Sequence, residues 1–294
     1  MSGNIYLCFF CGGFLRRGIV FFRDKNETIF LFRCISCGSE MLMPQPSVEI
    51  LAKEYKNYYI RRNQYVKSVF PKEHYFKELL RNELCLTQGN ADLTTLELGA
   101  GSGDFVKVFN DICPRSKITA VEKSQEITHE YEGLKCTVIQ LSIEEYLSNC
   151  KEYFDIVFLF DVLEHLRDPL HTLKRVTTLL RPRGKIILTV PTTDSGLKRI
   201  MGKFWPQYKL EHLFYFSTAS FSSIGSVLGL RIKTMTPVRK ALPLSYLISV
   251  GSNFGPRIFS RSIIALSKVL PVTLYDRVFT LSLGEMFVVY EKNS

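Results

Sequence analysis

Between residues 93 and 191 the chain alternates apolar, strand-like runs with helical stretches, and the first run opens directly into Gly99-Ala100-Gly101-Ser102-Gly103. Runs at 93–98, 117–121, 136–140, 153–160 and 185–190 read as strands. Residues 104–110, 122–131 and 169–180 read as helices between them. The fourth run, Tyr153 to Phe160, is almost wholly apolar, as a strand buried on both faces must be. Strand–helix repetition of this kind leaves little choice beyond an α/β, doubly wound parallel sheet. Such sheets bind ligands outside the carboxyl ends of their strands.

The glycine loop has the spacing Gly-x-Gly-x-Gly, shorter than the dinucleotide fingerprint, and it lets backbone approach a bound molecule closely. Glu97 lies two residues before its first glycine. A carboxylate there repels a pyrophosphate but suits an ammonium. Glu122, closing the second strand, can accept from both hydroxyls of a ribose. Together these features describe S-adenosylmethionine better than a nicotinamide dinucleotide.

Further stretches carry a resemblance. Glu97-Leu98-Gly99-Ala100-Gly101-Ser102-Gly103, Val121-Glu122-Lys123-Ser124, Phe154-Asp155-Ile156-Val157, the run Asp161 to Pro169 and Arg181-Pro182-Arg183-Gly184-Lys185 resemble a class I S-adenosylmethionine-dependent methyltransferase. The resemblance implies a Rossmann-like, seven-stranded sheet. It implies Glu97, Gly99, Ala100, Gly101 and Gly103 around the methionine part of the cofactor, Glu122 on the ribose and Lys123 beside the adenine. Ser142 and Ile143 match the adenine-edge positions, and Phe160 and Asp161 would line the cofactor at the fourth strand. No Asn/Asp-Pro-Pro-Tyr follows that strand, which argues against methylation of base exocyclic amines.

Toward the N-terminus stand two Cys-x-x-Cys-Gly turns, Cys8 with Cys11 and Cys34 with Cys37, separated by 22 residues. Their four thiolates suit tetrahedral Zn²⁺. Two strand-like runs, 18–23 and 28–34, with Asp24-Lys25-Asn26-Glu27 as the turn, form a hairpin that returns the second knuckle to the first. A ribbon of this size has little core of its own, so a structural zinc would stabilise it. The chain then divides into a zinc ribbon at 1–45, substrate-side helices at 46–90, and a cofactor-binding domain at 91–294 with a helical insertion at about 238–282. Ribbon, Met-Pro-x-Pro stretch and core together resemble zinc-ribbon methyltransferases of sugar and polysaccharide biosynthesis.

Methyl transfer to a hydroxyl benefits from a base. His165, just past the fourth strand, and His212 are the candidates. His212 lies in a loop with Phe204, Trp205, Tyr208, Phe214 and Tyr215, whose rings could stack on a sugar and exclude water. Both histidines also have a structural reading, as hydrogen-bonding anchors of their loops.

The formal charge of +10 is unevenly spread: +6 over residues 1–81, −5 over 82–195 and +9 over 196–294. The acidic middle coincides with the cofactor core, so the basic flanks imply an anionic acceptor. That acceptor is a small molecule or a lipid-linked sugar. Tyr55, Tyr58, Tyr59 and Tyr65 interleaved with Lys53, Lys56, Arg61, Arg62 and Lys67 can hold such a ligand or simply pack on the core. Phe259, Ile263, Leu266 and Leu270 recur at helical spacing beside Arg257, Arg261 and Lys268, as in a lid or a helix lying on an anionic membrane. No leader peptide or spanning segment is read, which places the chain in the cytoplasm with a possible membrane contact. The expectation is O-methylation of a sugar, nucleotide-sugar or glycolipid. An RNA methyltransferase gripping RNA through the ribbon and a non-catalytic cofactor-binding module are the alternatives.

Overall fold

A computed structural model describes residues 5–55, 75–79, 92–248, 271, 274–275 and 277–293 of the chain. The basic, tyrosine-rich positions beyond Tyr55 and the helical-spaced run 257–270 lie outside the described residues.

Three strands open the chain: β1 (Leu15–Arg23), β2 (Thr28–Cys34) and β3 (Glu40–Met43). The β1–β2 turn forms where the acidic and amide residues fall. Asp24 Oδ1 accepts from the amides of Asn26 and Glu27 at 2.8 and 2.7 Å, an Asx-type closure. Ser47 then starts a helical stretch at 48–55, its Oγ accepting from the Ile50 amide.

The main sheet follows the expected alternation. In chain order come β4 (Thr94–Leu98), α1 (Asp104–Ile112), β5 (Lys117–Val121), β6 (Thr137–Ile139), α2 (Ile143–Asn149), β7 (Phe154–Phe160), α3 (Pro169–Leu179) and β8 (Leu180–Pro191). Next come α4 (Gly196–Met201), β9 (Phe214–Tyr215), α5 (Thr218–Leu228), β10 (Leu230–Pro237), β11 (Lys240–Pro243), β12 (Val278–Leu281) and β13 (Glu285–Lys292). The seven-stranded order is β10-β13-β8-β7-β4-β5-β6. The five strands from β8 to β6 are mutually parallel, while β13 runs antiparallel to both β8 and β10. β7 buries Phe154, Ile156, Val157, Phe158 and Leu159 essentially completely, as its composition requires. This is the class I methyltransferase fold.

The helix expected to run to Tyr131 is present as the 3₁₀ helix Gln125–Tyr131. Three local expectations are corrected. The stretch Arg181-Pro182-Arg183-Gly184 does not separate helix from strand, because β8 already begins at Leu180. Its extra residues bulge between the pairs Phe154↔Leu180 and Ile156↔Lys185, and Arg183 takes φ 63°. The insertion is not purely helical: β11 and β12 form an antiparallel ladder at its base. Finally, the ribbon is not a separate sheet. β3 pairs antiparallel with β9, Glu40 opposite Tyr215 and Met41 opposite Phe214, giving the order β1-β2-β3-β9. A strand from the segment that follows β8 therefore completes this sheet.

Candidate active site

The glycine loop turns at the carboxyl end of β4 because three of its residues occupy the left-handed region: Gly99 (φ 71°), Gly101 (φ 56°) and Gly103 (φ 69°). At Gly99 space is also decisive, since a Cβ would stand 2.6 Å from Val162 Cγ2. The Gly99 and Ala100 amides donate to the Val121 carbonyl at 2.8 and 3.1 Å, tying the loop to β5. Glu122 continues that tie. Its Oε2 accepts from the Gly101 amide and its Oε1 from the Ser124 amide, both at 2.9 Å. Each oxygen keeps a second lone pair, so the carboxylate can hold the loop and still receive a ribose hydroxyl. Tyr131, which the sequence did not single out, donates from Oη to the Gly101 carbonyl at 2.7 Å. Its signal in the sequence was weak, a tyrosine among polar residues in a short 3₁₀ segment.

The remaining cofactor candidates gather around this loop. Glu97, near the end of β4, is 3% exposed. Ser142 caps α2 through a reciprocal box with Glu145, its Oγ accepting the Glu145 amide at 3.2 Å. This fixes Ile143 at the first helical position, beyond the carboxyl end of β6. Lys123 is exposed after β5, near Glu145, whose carboxyl is held low by its hydrogen bonds with Ser142 and, to a lesser degree, by the Lys123 charge. Phe160 ends β7 among Phe76, Phe105 and Phe158. Asp161 follows at φ 55°, held by its amide donating to the Thr189 carbonyl and by Thr189 Oγ1 donating to its Oδ1, each at 2.9 Å. The loop, both acids and these edge positions thus share one end of the parallel sheet. The cradle fits S-adenosylmethionine on that geometry: its floor admits no Cβ, and its walls carry carboxylates toward a cationic ligand.

Past β7 the structure brings Glu164, His165 and His212 together, with ligand atoms within 4.8 Å of one another. The two imidazole rings meet edge to face at 4.7 Å. His165 Nδ1 faces the Glu211 carbonyl at 2.9 Å, with Tyr55 Oη at 3.4 Å. Burial, then Lys209, pushes His165 down to about 4. His212 is 4% exposed, and burial, His165 and Lys209 hold it well below an ordinary histidine, so its imidazole is neutral. Burial and then the Asp161 charge raise Glu164 well above the carboxylate range, so it keeps its proton. Among the described residues, Glu164 Oε2 and His212 Nδ1 are buried atoms without a hydrogen-bond partner. A protonated acid and a neutral imidazole with an unused lone pair form a site equipped to move a proton. Glu164 was not among the sequence candidates, because a Glu beside a His in a loop looks solvated until the fold buries it.

The aromatic loop is corrected. Trp205, Phe214 and Tyr215 are at most 2% exposed and pack against the ribbon and one another. They are core of the seam and offer no face to a sugar. Tyr208 is partly buried, and its hydroxyl is engaged by Glu40 at 2.6 Å.

A second buried polar group lies where β13 begins, opposite Pro191 of β8. Lys240 Nζ reaches Glu285 Oε2 at 2.5 Å, Gln207 Nε2 donates to Glu285 Oε1 at 2.9 Å, and Lys240 lies 5.2 Å from the Tyr75 ring centroid. Burial opposes charge on Lys240, but Glu285 and Asp161 outweigh it and keep the ammonium protonated. This pair closes the sheet edge beside the cofactor end.

The four ribbon cysteines converge. Cys8 and Cys37 sulfurs are 3.7 Å apart and those of Cys11 and Cys34 3.5 Å. A tetrahedron with bonds of about 2.3 Å has edges of about 3.8 Å. The Gly13 amide points at Cys11, and the Ser36 and Cys37 amides at Cys34, each at 3.4 Å. Hydrogen bonds from the Cys8 thiol and, past the opposing effect of burial, from Ser39 hold Cys37 far below an ordinary thiol. Cys37 thus already favours thiolate, whereas the hydrogen bond to Cys37 and burial push the Cys8 thiol up and burial pushes up Cys11. The spacing of the four sulfurs matches the donor geometry of zinc.

The methyltransferase-domain family matches residues 68–234, more than half of the chain. A ubiquinone biosynthesis O-methyltransferase of Aeromonas salmonicida (strain A449) is 26% identical over 173 residues, spanning 54% of this chain and 71% of the relative. The plantazolicin methyltransferase BpumL, in complex with a triazolic desmethylPZN analog and SAH, superposes with a TM-score of 0.54 at 14% identity. The match covers 83% of this chain and 93% of that one. The YcgJ protein of Bacillus subtilis gives a TM-score of 0.50 at 16% identity, over 74% and 99% of the two chains. At such identities both structures report a shared fold.

Proposed function

The chain belongs to the methyltransferase-domain family and is an S-adenosylmethionine-dependent methyltransferase, and from that premise we propose that it methylates an oxygen of an anionic sugar, nucleotide-sugar or glycolipid acceptor. The observation that carries the choice of oxygen is the buried His212 imidazole, neutral and with Nδ1 unpaired, beside a protonated Glu164. A hydroxyl nucleophile needs such a base. The relative's name, an O-methyltransferase, agrees with this choice. The anionic character rests on the charge asymmetry, with basic flanks around an acidic core.

Bound S-adenosylmethionine supplies a methyl group on a positively charged sulfur, already activated toward displacement. The chain's own residues supply position and proton handling. Glu97 and the glycine loop hold the amino-acid end, Glu122 the ribose, and Lys123, Ser142 and Ile143 the adenine edge. Phe160 and Asp161 face the reacting end. His212 takes the hydroxyl proton on Nδ1 as the acceptor oxygen gains the methyl group. His165 acts through its neighbour: its Nδ1–H, fixed on the Glu211 carbonyl, sets the edge against which the His212 ring stands.

His212→Gln is expected to lower kcat by about 10²–10⁴-fold while S-adenosylhomocysteine affinity stays unchanged. Unaltered kcat would remove His212 from the reaction. The acceptor is tested by transfer of tritiated methyl into a cell extract divided into sugar-nucleotide, lipid and RNA fractions. Label in the first two supports the reading, and label confined to RNA overturns it.

For the ribbon we propose one structural Zn²⁺ held by Cys8, Cys11, Cys34 and Cys37. Purified protein is then expected to release one zinc per chain on treatment with a thiol-modifying reagent. Chelation is expected to lower the unfolding temperature, and a Cys37→Ser variant to carry no zinc. Metal-free protein of undiminished stability would count against a structural metal.

A further inference from the structure

Between the ribbon and the segment following β8 lies a cavity of about 310 Å³ whose walls include Arg33, Glu40, Asp194, Lys198, Arg199 and Tyr208. Its acids are already committed. Glu40 Oε1 accepts from Lys198 Nζ at 2.8 Å and Glu40 Oε2 from Tyr208 Oη at 2.6 Å. Asp194 Oδ2 accepts from the Thr218 amide at 2.7 Å and from the Thr218 hydroxyl. Its arginines keep their hydrogen-bond donors open. Arg33 stands opposite Glu40 across β2 and β3 in a long ion pair, Nη1 3.6 Å from Oε1 and beyond hydrogen-bonding distance, and its side chain is 62% exposed. Arg199 is exposed, and its guanidinium has no hydrogen bond or ion pair among the described residues. With Lys198 neutralised by Glu40, two open guanidinium forks face one carboxylate that is already satisfied. The cavity therefore carries net positive charge and unused planar donors.

The walls are fixed from both sides of the seam. Thr193 Oγ1 donates to the Gly38 carbonyl at 3.2 Å and Ser217 Oγ to the Cys37 carbonyl at 2.5 Å, so the second cysteine knuckle is fastened to the core directly beside Arg33. Thr193 follows β8, whose carboxyl end lies at the same edge of the sheet as the glycine loop and Phe160. A succession of ring contacts, Tyr208 to Tyr215 at 5.1 Å, Tyr215 to His212 at 6.1 Å and His212 to His165 at 4.7 Å, connects the cavity wall to the histidine pair.

We propose that this cavity binds the phosphoryl group of the acceptor, a phosphate monoester or diphosphate gripped between Arg33 and Arg199, and that the ribbon serves the reaction by presenting Arg33. Guanidinium forks match phosphate oxygens two by two, which a lysine cannot do. The proposal rests on the reading that the acceptor is anionic, and it adds where the anion is held.

The test uses the full-length protein and inorganic pyrophosphate, followed by calorimetry, with S-adenosylhomocysteine binding measured in parallel. Wild type is expected to bind pyrophosphate, and the Arg33→Gln/Arg199→Gln variant to bind it at least about tenfold more weakly with cofactor affinity and unfolding temperature unchanged. Lys203→Gln, which removes an exposed charge outside the cavity, is expected to bind as wild type does. Failure of wild type to bind pyrophosphate, or equal affinity in the double variant, overturns the proposal. Calorimetry with a phosphate monoester in place of pyrophosphate separates one anchored phosphate from two. The acceptor reading fails by a different result, label from tritiated cofactor appearing only in uncharged products, which leaves the pyrophosphate measurement standing.

Discussion

Gly99→Ala is expected to weaken S-adenosylmethionine binding by about 100-fold, close to 2.7 kcal/mol, with the fold retained. Two effects combine. An alanine at φ 71° bears the left-handed penalty of about 1–2 kcal/mol. The added Cβ would also meet Val162 Cγ2 at 2.6 Å, and Val162 is a buried, β-branched side chain with little rotameric freedom. The loop must then move away from Val162, disturbing the amides of Gly99 and Ala100 on Val121 and of Gly101 on Glu122 and distorting the cradle. Gly133→Ala is the control for left-handed strain placed outside the cradle. Gly133 has φ 80° with nothing within 4 Å of the new Cβ, so that variant pays strain alone and binds cofactor normally. Val162→Ala in the Gly99→Ala background is expected to restore part of the affinity. Isothermal calorimetry with S-adenosylhomocysteine on the four proteins decides the matter. Failure of Val162→Ala to restore any affinity in the Gly99→Ala background would show that the close approach to Val162 plays no part.

Glu40→Ala carries the largest expected effect on stability, about 3–5 kcal/mol. Glu40 and Lys198 have side chains only 5% and 9% exposed, and they join ribbon to core across 158 positions of sequence. Removing the carboxylate leaves a buried ammonium without its partner and takes the acceptor from the Tyr208 hydroxyl. Lys198→Met with Glu40→Leu removes both charges together and is expected to recover most of the loss, since a buried pair often gains little over apolar groups of similar volume. Urea unfolding of the single and double variants measures both quantities. A loss below about 1 kcal/mol for Glu40→Ala would mean that the pair is solvated in solution.

What the sequence made legible was local. The glycine loop, Glu97, Glu122 and the strands around them belong to one continuous stretch, where spacing and apolar runs report geometry directly. The hairpin between the cysteine knuckles was legible for the same reason, because Asp24 closes its own turn. What escaped was long-range. A two-residue strand such as β9 has no period to detect, and only its pairing with β3 reveals it. Trp205 and Tyr215 looked like sugar-stacking rings because an aromatic loop and a buried seam have the same composition. Glu164 reads as a surface acid until His212 arrives from 48 positions away. Lys198 and Glu40 likewise read as two solvated charges. Pair partners selected by tertiary structure leave no pattern in either segment alone.

The ladder between β3 and β9 has a thermodynamic consequence. Whatever free energy a metal on the four thiols spends in ordering β3 is transmitted through Glu40–Tyr215 and Met41–Phe214 to the strand that begins two residues after His212. Coupling of this kind is reciprocal. If metal occupancy tightens the acceptor by some factor, acceptor binding raises metal affinity by the same factor. A chelator competition run with and without acceptor would therefore measure, at the sulfurs, how firmly the His212 segment is held.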